Sequence, residues 1–197
     1  MIVTSMPRDP YKLYPQDYVL RATLLRLIPS AVTPNHITVL RMMLTPVVLY
    51  LLATGNLVFG VPLFVFTAFT DMVDGSMARV RKHITPWGIL FDPIADKLLI
   101  GLVALTFALK YYHPIIVITA VAFDLIPLAI WLVRAKGNRG VMMANTWGKM
   151  KMMLQFVSLT MLLLAVVLQL PFLADVGEWT LVLATVFAAV ATITYSL

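Results

Sequence analysis

The chain has 197 residues, of which 61% are hydrophobic and only 12% charged, with a net charge of +6. Soluble domains carry about 25% charged residues. The apolar residues here fall in long blocks rather than short alternating runs, which excludes an ordinary soluble domain and points to membrane helices. The absence of cysteine excludes disulfides and thiolate metal sites.

In chain order, the opening stretch MIVTSMPRDPYKLYPQDY has no apolar core behind a basic start, so no cleavable signal peptide is expected. PQDYVLRATLLRLIP at 15–29 reads as a helix lying at the cytoplasmic interface. Its leucines and two arginines suit that place, although its polar residues do not gather on one clean face. Residues 1–33 are thus an N-terminal cytoplasmic and interfacial segment, and 34–197 a single membrane domain. Six spans are predicted, near Pro34–Thr54, Leu57–Ala78, Pro86–Leu109, Pro114–Val133, Thr146–Leu170 and Trp179–Ser196. Each reaches or approaches the roughly 20 residues that cross about 30 Å of hydrocarbon. Thr33-Pro34 and Thr85-Pro86 look like an N-cap hydroxyl followed by proline in the first helical position. Pro46, Pro93 and Pro127 fall inside spans and are expected to kink them. GNRG at 137–140 reads as a flexible loop.

With six spans, both termini share a side with the loops at 79–85 and 134–145. That side holds Arg8, Arg21, Arg79, Arg81, Arg134, Lys149 and most other basic residues, whereas Lys110, Asp175 and Glu178 lie opposite. The positive-inside rule places both termini in the cytoplasm, and the protein is expected as a multi-pass component of the inner or plasma membrane. The basic excess lines the membrane flank, which argues against a nucleic-acid partner.

Four of the nine acidic residues are concentrated in 71–96. Asp71 and Asp74 are i,i+3 near the cytoplasmic end of the second span, and Asp92 and Asp96 are i,i+4 near the start of the third. Each pair occupies one helix face, and the short loop between the spans lets the faces meet. At about 1.5 Å per residue the carboxylates sit roughly 8–16 Å inside the cytoplasmic boundary. Arg79 and Lys97 can neutralise part of this charge, but four clustered carboxylates suit one or two divalent cations, and all-oxygen ligation favours magnesium, manganese or calcium over zinc. Intramembrane acids usually mark function, which favours a cation site over a purely structural ion-pair cluster. Gly75 and Ala78 allow close approach of a ligand or a second helix. Arg79 can act as a fork for phosphate oxygens or as an interface anchor. Metal and arginine around an acidic cleft describe a pyrophosphate site.

Asp71-Met-Val-Asp74-Gly75-Ser-Met-Ala78-Arg79, eight residues, Gly88, three residues, Asp92, three residues, Asp96 resembles the CDP-alcohol phosphatidyltransferase signature at every fixed position. PNHIT at 34–38 is similar to the opening of that family's first membrane helix. The resemblance implies an all-α integral membrane fold of six helices with a cytoplasmic-facing cavity. It also implies transfer of the phosphatidyl group of CDP-diacylglycerol to an alcohol, with release of CMP. By position, Asp71, Asp74, Asp92 and Asp96 would ligate two Mg2+ or Mn2+ ions, with Asp96 also the general base. Asn35, His36, Ile37, Thr38, Gly75, Ala78, Arg79 and Thr85 would contact CDP-diacylglycerol. A homodimer is a further expectation from the family.

Asp92-Pro-Ile-Ala-Asp96-Lys97 and TWGKMKMMLQ at 146–155 are similar to phosphatidylglycerophosphate synthases, which implies glycerol 3-phosphate as acceptor. Arg134, Arg139, Lys149 and Lys151, at the cytoplasmic ends of the fourth and fifth spans, would bind its phosphate. The alternatives are phosphatidylglycerol, as in cardiolipin synthases, or an inositol phosphate. The fourth span departs from the pattern, with Phe123-Asp124 where those synthases carry Arg-Glu or Arg-Asp. Asp124 is open to a functional or a packing role. A small cation-binding transporter is the alternative of another class; it accounts for the aspartates but not for Gly75, Ala78, Arg79 and Gly88 at their spacing.

Overall fold

The computed structural model describes residues 13–136 and 146–196, and these are helical apart from short connections. The helices are α1 (Pro15–Ala22), α2 (Leu24–Leu27), α3 (Pro34–Ala53), α4 (Leu57–Val80), α5 (Pro86–Thr106), α6 (Pro114–Lys136), α7 (Thr146–Leu168) and α8 (Pro171–Ser196). Four of them, Pro34–Ala53, Leu57–Val80, Met150–Leu168 and Pro171–Thr192, are long and apolar enough to cross a bilayer by length and composition. The protein is therefore multi-pass. α5 has the length but carries Asp92, Asp96 and Lys97, and α6 has a shorter apolar run over Pro114–Ala129.

Several boundaries differ from the sequence reading. The interfacial helix is two helices, broken where Thr23 leaves helical geometry and its hydroxyl donates to Val19 O at 2.8 Å. α5 ends at Thr106, and a single 3-10 turn over Ala108–Lys110 completes the connection. α8 starts at Pro171 rather than near Trp179, because proline is well placed at a helix start and takes Asp175 and Glu178 into the first turns. GNRG at 137–140 lies outside the described residues.

Proline again explains the starts of α3 and α5. Thr33 stands at the N-cap of α3, where its N–H is met by His36 Nδ1 at 3.3 Å. Thr85 caps α5 by accepting from Gly88 N–H at 3.0 Å. Pro46, Pro93 and Pro127 all lie within continuous helices. Gly55, with φ of +77°, makes the tight reversal between α3 and α4.

The main core is formed by residues such as Val48, Phe64, Leu99, Val103, Val117, Leu159, Leu162 and Leu181, contributed by six helices. α7 and α8 pack closely along their lengths. At one end of the bundle Tyr112 donates to Ser158 O at 3.1 Å, and Ser158 donates to Gly177 O at 2.7 Å. A Cβ on Gly177 would collide with the Tyr112 hydroxyl and stand 3.1 Å from Ser158 O, so a side chain there would force Tyr112 aside. A second, smaller apolar cluster of Leu20, Leu25, Ile37, Val73 and Met77 seats α1 and α2 against α3 and α4. α3 packs on both α4 and α5, which touch each other only slightly.

Candidate active site

That last arrangement decides how the acids meet. The two carboxylate pairs come together through α3, which packs on both α4 and α5 and supplies the groups they share. Thr38, one turn inside α3, donates to Asp92 Oδ1 at 2.7 Å and lies 3.2 Å from Asp74 Oδ2. Arg41, the next residue on the same face, pairs through Nη1 with Asp71 and through Nη2 with Asp74 Oδ2 at 2.9 Å. Its side chain is wholly buried, and Nε has no hydrogen-bond partner. A buried guanidinium is tolerable only with its charge compensated, and here two carboxylates do so.

The Asn35 end of α3 is joined to α5 by a separate link. Thr85 Oγ1 donates to Asn35 Oδ1 at 2.9 Å while accepting from Gly88 N–H. A Cβ at Gly88 would stand 3.2 Å from both Asn35 Oδ1 and Thr85 Oγ1, and 3.5 Å from Asp92 Oδ2. A side chain at this position would press on the Asn35 and Thr85 oxygens, so glycine suits the close approach of α5 to α3. Asn35, Thr38, Thr85, Gly88 and Asp92 thus share one corner of the site. His36 and Ile37 do not join it: His36 is exposed and turned to the α3 cap, and Ile37 is buried in the smaller apolar cluster.

Asp96 sits one turn beyond Asp92, in the wall of a cavity of about 230 Å³ between α5, α6, α7 and α8. Lys97, Asp124, Lys151 and Gln155 share that wall. Asp124 and Lys151 are buried and form an ion pair, and Asp124 Oδ2 also accepts from Gln155 Nε2 at 2.9 Å. The cation beside Asp124 thus comes from α7 rather than from a neighbouring arginine on α6. Arg134 and Lys149 fall on α6 and α7, and Arg139 lies outside the described residues.

Among the described residues, no three acidic or histidine side chains close on one point as metal ligands would; the oxygens of Asp71, Asp74 and Asp92 close on Arg41 and Thr38. All these ligand atoms are carboxylate and hydroxyl oxygens, the chemistry that suits a hard divalent cation. An ion fits this donor set if Arg41 yields oxygens to it.

Gly75 and Arg79 lie on the face of α4 toward α1. Arg79 is held by Asp17, with Nε to Oδ2 and Nη2 to Oδ1 both at 2.8 Å. The sequence reading missed both Arg41 and Asp17. Arg41 is the only lysine or arginine in the first span, a signal as strong as the aspartates themselves. Asp17 is a lone acid on the buried side of α1, beside Leu20.

The family model for CDP-alcohol phosphatidyltransferase matches residues 31–192. The CDP-diacylglycerol–glycerol-3-phosphate 3-phosphatidyltransferase of Rickettsia typhi is 35% identical over 137 residues, covering 66% of this chain and 75% of that protein. The protein of the same name from Bacillus subtilis is 32% identical over 177 residues, covering 78% and 89%. A probable cardiolipin synthase (CMP-forming) of Drosophila melanogaster is 38% identical over 69 residues, covering 34% and 21%.

Proposed function

Because the chain belongs to the CDP-alcohol phosphatidyltransferase family, we propose that it transfers the phosphatidyl group of CDP-diacylglycerol to glycerol 3-phosphate and releases CMP. The observation that carries the acceptor is the position of Asp96: it follows the carboxylate cluster by one turn and also lines a cavity bearing Lys97 and Lys151. A phosphorylated alcohol suits such a cavity if Lys97, and Lys151 on leaving Asp124, meet its phosphate while its hydroxyl approaches Asp96.

In this reading the acceptor oxygen attacks the phosphorus that carries diacylglycerol. The bond from that phosphorus to the bridging oxygen breaks, CMP departs with the electron pair, and Asp96 takes the hydroxyl proton. One or two Mg2+ or Mn2+ ions held by Asp71, Asp74, Asp92 and Asp96 would supply positive charge to the pyrophosphate oxygens. Arg41 and Thr38 fix the carboxylates of α4 and α5 relative to one another. Asn35, Thr85 and the Gly75–Arg79 face would receive the nucleotide and its diphosphate. The acyl chains would remain among lipids beside the exposed apolar side chains of the bundle, such as Phe66 and Phe69.

The same proposal has six spans, with α5 and α6 crossing beside the four more apolar helices. The basic residues near α1, α4 and the α6–α7 connection support a cytoplasmic site with both termini on that side of the inner or plasma membrane. A homodimer belongs to the same reading on family grounds alone. Phosphatidylglycerol is the second acceptor to consider, because of the likeness to the Drosophila protein.

The test is CMP release by the purified protein in nanodiscs with CDP-diacylglycerol and Mg2+, supplied in turn with glycerol 3-phosphate, phosphatidylglycerol, inositol 1-phosphate and serine. Release with glycerol 3-phosphate is expected. Release only with phosphatidylglycerol would move the protein to cardiolipin synthesis, and a lack of CMP release with every acceptor would refute the enzyme reading.

A further inference from the structure

Arg79 is held from outside the stretch that the family model matches. Its partner Asp17 lies on α1, ahead of residue 31, and is completely buried. The contact is a two-bond fork: Nε and Nη2 each lie 2.8 Å from a different oxygen of the carboxylate. Each oxygen also accepts a second donor, Tyr14 N–H at 2.9 Å on Oδ2 and the Ser76 hydroxyl at 2.6 Å on Oδ1. The guanidinium carbon stands 5.2 Å from the centre of the Tyr14 ring. A carboxylate holding four donors has little freedom to turn, so the guanidinium plane is fixed with it. The edge left outside the fork is Nη1, which lies over Gly75, where a Cβ would come within 3.4 Å of it.

Docking α1 does not by itself call for this arrangement. Leu20 and Leu25 already seat the N-terminal helices on Ile37, Val73 and Met77. A buried ion pair adds little stability over an apolar replacement, since desolvation offsets most of the attraction. What four donors on one carboxylate do supply is orientation.

We infer that Asp17 is a positioning residue for phosphatidyl transfer, holding the Arg79 guanidinium so that Nη1 is presented across Gly75 to the diphosphate of the CDP-linked lipid. This rests on reading the site as one for CDP-diacylglycerol. The residue touches no substrate itself and acts through Arg79.

The test varies CDP-diacylglycerol in nanodiscs at saturating glycerol 3-phosphate and reads CMP release. Asp17→Asn is expected to raise the KM for CDP-diacylglycerol about tenfold, the loss of one charge-assisted contact, with kcat and the acceptor KM within about twofold. Ser76→Ala, which loosens the same carboxylate without changing charge, is expected to raise that KM about threefold, and it carries the test if Asp17→Asn does not fold. In an Arg79→Lys background, Asp17→Asn is expected to add nothing. A lower melting temperature with unchanged KM in these variants would reduce Asp17 to a docking contact and overturn the inference. So would an Asp17→Asn effect that persists in full beside Arg79→Lys. Wild-type protein that releases no CMP would overturn the function and this inference together, which separates the two failures.

Discussion

A guanidinium buried among apolar helices must have its charge met, and Arg41 meets it with Asp71 and Asp74 while its Nε goes without a partner. Removing one member of such a group leaves uncompensated charge, at a cost of roughly 3–5 kcal/mol. Arg41→Ala, melted in EDTA, is therefore expected to lose stability on that scale, and Mg2+ is expected to recover part of it by taking over the carboxylates. No recovery with Mg2+ would count against the cluster as a cation site. At this scale the four aspartates were legible, because acids in apolar spans are rare and their spacing puts each pair on one face. Arg41 is equally rare, a single basic residue inside an otherwise apolar span. Its role depends on which helix lies between α4 and α5, and spacing along the chain does not encode that.

Among the elements, α1 shows how a contact between segments distant in sequence obscures a local pattern. Asp17 is an acid on the buried side of α1, beside Leu20, turned inward to Arg79 and Ser76 rather than out to water. Burial alone would raise the Asp17 pKa. The hydrogen bonds from Arg79, Ser76 and Tyr14 N–H, with the Arg79 charge, outweigh burial and hold it down to about 2. A folded-state pKa below the ordinary carboxylate value stabilises docking above about pH 4 and stops doing so as pH falls through about 2, a contribution of about 2 kcal/mol. Hydrogen exchange at the α1 amides is expected to quicken as pH is lowered through that window, after correction for intrinsic rates, and Asp17→Asn is expected to remove the dependence. An α1 whose protection does not respond to acid in the unsubstituted protein would contradict the ion pair. The starts of α3 and α5 were readable from Thr-Pro, whereas the break at Thr23 was not, since nothing in PQDYVLRATLLRLIP excludes one continuous helix.

The bundle as a whole places a polar site where apolar helices bring together carboxylates, an arginine and a lysine-bearing cavity. The all-helical membrane class followed from block hydrophobicity alone. Whether α5 crosses is less plain from composition, because it carries Asp92, Asp96 and Lys97. The proposed topology has a simple check, since the chain lacks cysteine. A cysteine from His83→Cys, between α4 and α5, is expected to react with an impermeant maleimide only from the cytoplasmic side. One from Lys110→Cys, between α5 and α6, is expected to react only from the opposite side. Labelling of both from one side would mean that α5 does not span.

The central claim, that Asp96 activates a phosphorylated alcohol beside the acidic cluster, is tested most directly by following labelled glycerol 3-phosphate into extractable lipid with wild-type protein and Asp96→Asn. Wild type is expected to form labelled phosphatidylglycerophosphate, while Asp96→Asn loses at least about 100-fold in turnover and still binds CDP-diacylglycerol. Normal turnover by Asp96→Asn, or no label in lipid with the wild type, would contradict it.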